Sequence, residues 1–121
     1  MIGLGTTLRC DLPPRHIWVV ISDPATTAGT VLMVNMTTLR DSCIDDACLL
    51  GPHDYILLSH TTTIAYSRAQ AGPVAAVEKL VREGQFSVVT SVPAATLAKV
   101  IDSARESPQL PPAHKRLLPP P

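Results

Sequence analysis

Apolar residues in the first half of the chain fall in short runs that are separated by turn residues. The two strongest runs are residues 17–21 and 31–36. The first is rich in β-branched residues and has no polar alternation, which is typical of a strand buried on both faces. Residues 22–29 between them contain Pro24 and Gly29 and have the chemistry of a turn. The pattern predicts a hairpin with a long loop.

Further strand signals lie on either side of this hairpin. Residues 6–10 form a candidate strand that Pro13 and Pro14 end, because proline cannot donate to a sheet ladder. Residues 43–50 contain two aspartates and are a poor helix and a plausible short strand. Residues 55–60 and 61–66 are strand material by composition. Five or six short strands in fewer than 70 residues favour a small barrel, which removes sheet edges.

The apolar period changes from that of strands to that of helices at Gly72 and Pro73. One predicted helix begins at Pro73 and ends at Gly84, and a second follows Pro93 and ends before Pro108. Their apolar positions recur at helical spacing: Val74, Val77, Leu80 and Val81 in the first, and Leu97, Val100, Ile101 and Ala104 in the second. Residues 85–90 between the helices are a strand or an extended link.

The chain from Pro108 onward has a different composition. It carries six of the twelve prolines and ends in three consecutive ones, which favour an extended polyproline conformation. We expect a single domain over residues 1–107, followed by a tail over residues 108–121 that is mobile or draped on the domain.

Composition limits the class of protein. Among 121 residues, 45% are hydrophobic and ten basic side chains balance ten acidic ones. The chain is therefore too apolar to be disordered, and it lacks the excess charge of a dedicated nucleic-acid coat. No apolar run is long enough to cross a bilayer and the first residues do not form a secretory signal, so we expect no membrane contact and a cytoplasmic protein. Three cysteines favour reduced thiols, with a bridge between Cys43 and Cys48 left open.

Polar side chains flank the two strongest strands. Arg15 and His16 precede the first, Ser22 follows it, and Thr37 and Thr38 follow the second. Side chains at strand ends can converge on a site that the strands hold rigid. Each also has a structural interpretation: a solvated arginine, a surface histidine, or threonines that suit a strand.

A second group of titratable residues lies between the later strands. His53 and Asp54 form either a hydrogen-bonded turn or an imidazole oriented by a carboxylate. Zinc prefers the ligand types of Cys43, Cys48, His53 and His60. Their spacing matches no zinc knuckle, so we expect no metal and no cofactor.

Two motifs carry a resemblance to a known family. Residues 15–22, RHIWVVIS, and residues 31–38, VLMVNMTT, resemble the two opening core strands of the MazF/PemK toxin endoribonucleases, and residues 55–68 resemble their later strands. The likeness covers about half of the chain. It implies a small SH3-like barrel. Together with the two helices predicted from the apolar spacing, which extend beyond the family's common single final helix, the expected fold is mainly β with α, an SH3-like barrel followed by two C-terminal helices.

The resemblance also implies a function. The protein would be a metal-independent endoribonuclease of a toxin–antitoxin system, a homodimer with RNA as substrate and an antitoxin-like protein as partner. Arg15 would be the general acid/base or would bind the phosphate, and the Thr37 hydroxyl would stabilise the phosphorane. The remaining candidates for substrate contact are His16, Ser22, Thr38, Arg40 and His53.

A non-catalytic interaction or regulatory domain of the same type is the alternative. Zero net charge, the short segment before Arg15 and the two apolar helices favour it. Charge placement separates the two hypotheses. An RNA-cleaving domain needs its arginines on one face, namely Arg9, Arg15, Arg40 and Arg68.

Overall fold

The structure is a computed structural model, and it describes residues 1–40 and 44–121. Within these residues the chain forms six strands and three helices. The strands are β1 (Thr7–Cys10), β2 (Ile17–Val20), β3 (Thr30–Thr38), β4 (Leu49–Leu50), β5 (Thr62–Pro73) and β6 (Phe86–Val89). The helices are α1 (Val74–Arg82), α2 (Ala94–Glu106) and α3 (Pro112–Lys115).

The six strands form one antiparallel sheet in the order β4-β5-β3-β2-β1-β6. The predicted hairpin is confirmed, because β2 pairs antiparallel with β3 and Ile17 lies opposite Met36. Strand β1 is hydrogen-bonded on both sides, with Leu8 opposite Trp18 of β2 and Val88 of β6. The ladder therefore joins the first strand of the chain to the strand between α1 and α2.

Both faces of the sheet are buried, as the continuous apolar run of β2 predicts. Val19 and Ile21 belong to one core cluster, which α2 helps to complete with Val100. Val20 belongs to a second cluster on the opposite face, which α1 completes with Val77. Successive side chains of a strand point to opposite faces, so a run with no polar residues needs cover on both.

Strand β5 contains an irregularity that shapes its outer surface. Met33 and Asn35 of β3 face Gln70 and Ala65 of β5, so residues 66–69 of β5 stand opposite the single residue between them. Such a bulge bends the strand and turns side chains away from the ladder. Ser67 and Arg68 in the bulge are exposed.

Helices α1 and α2 confirm the helical interpretation of the second half. The turn after α1 is closed by Gly84, whose φ of +76° lies in the left-handed region that glycine adopts without strain. The Gln85 amide donates to the Leu80 carbonyl at 3.0 Å and completes this end. Helix α2 is fixed to the sheet by the buried Tyr66, whose hydroxyl donates to the Val100 carbonyl at 2.6 Å. Residues 85–90, left open between strand and link, supply strand β6.

The prediction of a strand over residues 55–60 is wrong. The Leu58 amide donates to the Tyr55 carbonyl at 3.0 Å, which makes this segment a turn. Only Tyr55 is buried in it, with its hydroxyl donating to the Thr90 carbonyl at 2.5 Å, whereas Ile56 and Leu57 are exposed. One aromatic anchor, and not a ladder, holds the segment.

Two other boundaries differ from the predicted ones. Strand β5 does not end at Tyr66 but continues to Pro73, because its bulge lets pairing with β3 resume. Of the predicted strand over residues 43–50, only Leu49–Leu50 pairs, and Cys43 lies outside the described residues.

The tail lies against the domain, the second of the two predicted alternatives. Leu110 is 1% exposed and belongs to the larger core cluster. The Lys115 ammonium donates to the Arg105 carbonyl at 3.0 Å, and Arg105 donates to the Pro119 carbonyl at 2.5 Å. A short helix, α3, lies within this segment.

The class predicted from the sequence, mainly β with helices, is confirmed. The sheet curls into half of a barrel. No helix in the described part of the chain has the length and apolar composition needed to cross a membrane.

Candidate functional site

The start of β2 and the end of β3 lie side by side and form one wall of a pocket. Antiparallel pairing places Ile17 opposite Met36, so the residues before β2 meet those that end β3. The Leu39 amide donates to the Thr61 carbonyl at 3.2 Å and brings the segment before β5 to the same place. We call this cavity of about 160 Å³ the Arg15 pocket. Its polar lining consists of Arg15, His16, Thr37, Thr38, Ser59, His60 and Thr62.

The imidazole of His60 is held between two hydroxyls in this pocket. Its Nε2 lies 2.8 Å from Thr38 Oγ1, and its Nδ1 lies 3.0 Å from Ser59 Oγ. A neutral imidazole has one donor and one acceptor nitrogen, and a hydroxyl can serve either. The two contacts therefore fix the plane of the ring in both tautomers. The residue is exposed, so a ligand can reach it.

Thr37 and Thr38 stand in different surroundings. Side chains alternate along a strand, so Thr38 shares a face with Met36, and Thr37 shares the opposite face with Asn35. The hydroxyl that contacts His60 is that of Thr38. Thr37 lies opposite Thr63 of β5, and both threonines also line a second cavity.

The second cavity, about 540 Å³, is called here the Asp45 pocket. Its charged and polar lining consists of Thr37, Thr38, Arg40, Asp45, Ser67 and Arg68. Asp45 is 4% exposed. Its Oδ1 accepts from the Ser67 amide at 3.2 Å and its Oδ2 accepts from the Ser67 hydroxyl at 2.5 Å. The bulge of β5 supplies both donors.

Two predicted substrate contacts lie outside both pockets. Ser22 is fully buried, and its hydroxyl donates to the Thr30 carbonyl at 3.1 Å and accepts from the Leu32 amide at 2.7 Å. It stands at the other end of β2 from Arg15 and fastens the hairpin loop.

His53 belongs to a surface turn. Its side chain is 83% exposed, with Nε2 3.3 Å from Asp54 Oδ2. The same Asp54 oxygen accepts from the Gly51 amide at 2.8 Å. This is the hydrogen-bonded turn, the first of the two alternatives for this segment.

Three of the four arginines considered for phosphate contact surround the end of β3. Arg15 lines one pocket, and Arg40 and Arg68 line the other. The fourth, Arg9, is on β1 and pairs with Asp11 at 2.9 Å. The hydrogen bond from the Ser87 hydroxyl and then the Arg9 guanidinium hold the pKa of Asp11 below its ordinary value.

The candidate zinc ligands do not come together in the part of the chain that the structure describes. No group of three or more histidine, cysteine, aspartate or glutamate side chains there could hold a metal ion. Cys48 is buried in the core, and this burial raises the pKa of its thiol. His60 is oriented by hydroxyls.

Sequence reasoning treated His60 only as a possible metal ligand and did not consider Ser59. The sequence contained one signal for this pair, namely a serine directly before a histidine, a few residues after the buried Tyr55. This pattern is common in proteins and does not indicate a site by itself, because the contact with Thr38 depends on the turn at residues 55–58.

Compared with known proteins, the chain matches no family model, and no curated protein is similar to it at a significant level. The geometry of the two pockets is therefore what indicates a function.

Proposed function

We propose that the protein is a metal-independent endoribonuclease that cleaves RNA in the Arg15 pocket. The observation that carries the proposal is the Thr38–His60–Ser59 chain beside Arg15 and His16. It places two imidazoles, a guanidinium and hydroxyl donors in one small cavity. These are the groups that RNA cleavage by the 2′-hydroxyl requires.

The reaction assigns a role to each group. The substrate 2′-hydroxyl displaces the Thr38 hydroxyl from His60 Nε2, and this nitrogen takes its proton while Nδ1–H donates to Ser59 Oγ. The oxygen O2′ then attacks the adjacent phosphorus. The bond between phosphorus and O5′ then breaks, and His16 in its protonated form gives a proton to the departing O5′. The products are a 2′,3′-cyclic phosphate and a 5′-hydroxyl, and no metal or oxidant takes part.

Arg15 acts on the phosphate. A guanidinium offers two parallel donors to phosphate oxygens and stabilises the charge that develops in the transition state. In this proposal Ser59 orients the base through His60 Nδ1, and Thr38 holds Nε2 until the substrate binds. Thr37 is the phosphorane donor that the resemblance implies.

The family relationship is part of the same proposal. The two opening motifs and the curled sheet support an SH3-like barrel of the MazF/PemK type. Such a protein would act in the cytoplasm as a homodimer, with an antitoxin-like protein as its partner.

The test is cleavage of a long, weakly structured RNA in EDTA. We expect discrete products from the native protein and a loss of at least about 100-fold in rate for Arg15→Ala and His60→Gln, since each removes a charge-stabilising or proton-transferring group. Arg82→Ala, an exposed arginine on α1 far along the chain from both pockets, is the matched control and retains activity. Products with 2′,3′-cyclic phosphate ends identify the reaction.

Equal cleavage by native protein and His60→Gln would show that another group is the base and would overturn this mechanism. Absence of cleavage at protein concentrations well above that of the RNA would overturn the enzymatic function itself.

One observation favours the alternative, a protein-binding module. A cavity of about 360 Å³ lies between α1 and the sheet and is lined almost wholly by apolar groups, among them Trp18, Met33 and Phe86. An apolar cavity beside an edge strand suits a peptide partner. A domain that binds protein without cleaving RNA would be insensitive to Arg15→Ala and would lose binding on Trp18→Ala.

A further inference from the structure

We propose that the Asp45 pocket binds an unpaired guanine in the nucleotide next to the cleaved phosphate. This inference rests on the proposed function for its ligand class, RNA, and adds the base that the site selects.

The Asp45 carboxylate is a hydrogen-bond acceptor that its neighbours hold in place. Its carboxylate is almost fully buried, and both oxygens are fixed by Ser67, one by the amide and one by the hydroxyl. A carboxylate oxygen has two lone pairs, and each of these bonds uses one. Each oxygen therefore keeps one further acceptor position, and Asp45 lines the wall of the pocket.

Guanine is the base whose edge matches two parallel acceptors. Its Watson–Crick edge carries the N1–H and N2–H donors next to each other. Adenine and cytosine each have one amino donor on this edge beside an acceptor nitrogen, and uracil has one N–H between two carbonyls. Against these bases one carboxylate oxygen would face an acceptor and repel it.

The basic side chains of the pocket have the charge needed to bind the phosphates of a nucleotide. Among the described residues that line the cavity, Arg40 and Arg68 are basic and Asp45 is acidic, so these side chains carry a net positive charge. Such a pocket suits a ligand that combines a donor edge with phosphates.

The position of the pocket defines which nucleotide it holds. Thr37 and Thr38 line both pockets, so a base in one lies directly beside a phosphate in the other. Recognition of the Watson–Crick edge requires that the base be unpaired, and so the substrate is single-stranded RNA.

The experiment measures binding and not cleavage. The probe is a fluorescein-labelled 2′-O-methyl RNA nonamer with guanosine at the central position and uridine at every other one. Its methylated 2′-oxygens cannot form the cyclic phosphate. It is compared by fluorescence anisotropy with the same oligomer carrying inosine, which lacks the N2 amino group. We expect the inosine oligomer to bind about ten-fold more weakly, the loss typical of one arm of a bidentate base contact.

Two variants separate base recognition from phosphate contact. Asp45→Asn replaces one acceptor by a donor, so it should bind both oligomers equally. Arg68→Ala should weaken both by the same factor, reduce the slope of log affinity against log salt by about 1 and keep the guanine preference. Far-UV circular dichroism checks the fold of each variant, and the comparison of guanine with inosine in the native protein does not depend on either.

Equal affinity of the native protein for the two oligomers overturns the proposal. It is also overturned if neither oligomer binds and an arginine-containing peptide binds through Asp45, because the guanidinium would then be the bidentate donor and the partner a protein. A guanine preference without cleavage of ordinary RNA supports the base site and overturns the endoribonuclease function alone.

Discussion

At the scale of single residues, the least expected side chain is that of Asn35. It lies in the middle of β3, is 2% exposed, and its Oδ1 has no hydrogen-bond partner among the described residues. Its neighbours across the ladder are Trp18 and Ala65. The methyl group of Ala65 is no donor, and the indole N–H of Trp18 does not bond to this oxygen. An unsatisfied buried polar group costs about 1–3 kcal/mol of stability.

Replacing this side chain by an apolar one of similar size should stabilise the fold. We expect Asn35→Leu to raise the free energy of unfolding by about 1 kcal/mol in urea denaturation, because the unpaired oxygen is removed and the branched shape is kept. Thr7→Val is the contrasting variant, because the Thr7 hydroxyl donates to the Gly5 carbonyl and accepts from the Val92 amide. It should be destabilising. A less stable Asn35→Leu protein would mean that this oxygen is satisfied in solution.

At the scale of elements, local signals account for the hairpin and both longer helices. Pro73 and Gly84 mark the limits of α1, and the alternation of apolar residues gives β2 and β3 their faces. The segment over residues 55–60 could not be predicted correctly, because an apolar run in a turn has the same composition as one in a strand. What decides between them is Tyr55, whose partner at Thr90 is remote in sequence.

For the candidate site, too, the sequence predicts the residues that strand pairing brings together and misses those that other features position. Strands β2 and β3 are antiparallel, so Arg15, before β2, must meet Thr38, at the end of β3. The same argument excludes Ser22, which follows β2 and so lies about 17 Å from the start of that strand, at 3.3 Å per residue. His60 and Asp45 depend on a turn and a bulge, which no local pattern indicates.

The tail contributes to stability as an element of the core. Leu110→Ala should lower the free energy of unfolding by about 3 kcal/mol, because it leaves a cavity beneath the segment that follows α2. Leu12→Ala is the matched control, since Leu12 is 54% exposed and its truncation should cost less than about 0.5 kcal/mol. Equal effects of the two variants in chemical denaturation would show that the tail does not pack on the core.

At the scale of the whole molecule, charge is balanced overall and uneven locally. Ten basic and ten acidic side chains cancel, yet Arg15, Arg40 and Arg68 surround the two pockets at the end of β3. Some of the acidic side chains lie away from these pockets and hold strands together. Asp11 joins β1 to β6 through the Ser87 hydroxyl at 2.5 Å and through its own amide, which donates to the Gln85 carbonyl at 2.9 Å.

The stability of the molecule should therefore fall in acid in a way that depends on Asp11. Its pKa in the folded protein lies below the ordinary 3.8, so its ionised form is favoured by folding. The contribution is complete above the unfolded pKa and is lost as the pH falls through the folded one. Asp11→Asn should be less stable than the native protein at about pH 7, and the difference should shrink below about pH 4.

Urea denaturation at several pH values measures this difference. Asp23→Asn is the control, since it neutralises a turn carboxylate whose Oδ1 accepts from the Ala25 amide at 3.1 Å. A difference between native protein and Asp11→Asn that stays the same down to about pH 2 would contradict the assignment.

The position of β1 in the sheet has a consequence for the order of events during synthesis. The ribosome has synthesised every described residue that lines the two pockets once it reaches residue 68. The ladder of β1 cannot be completed until Val89, the partner of Thr7, has been synthesised, and the larger core also needs Val100 and Leu110. Non-local pairing of this kind is slow and comes late. A chain still on the ribosome thus carries the chemistry of the site without the rigid frame that it needs. We expect it to stay inert until translation of the domain has finished.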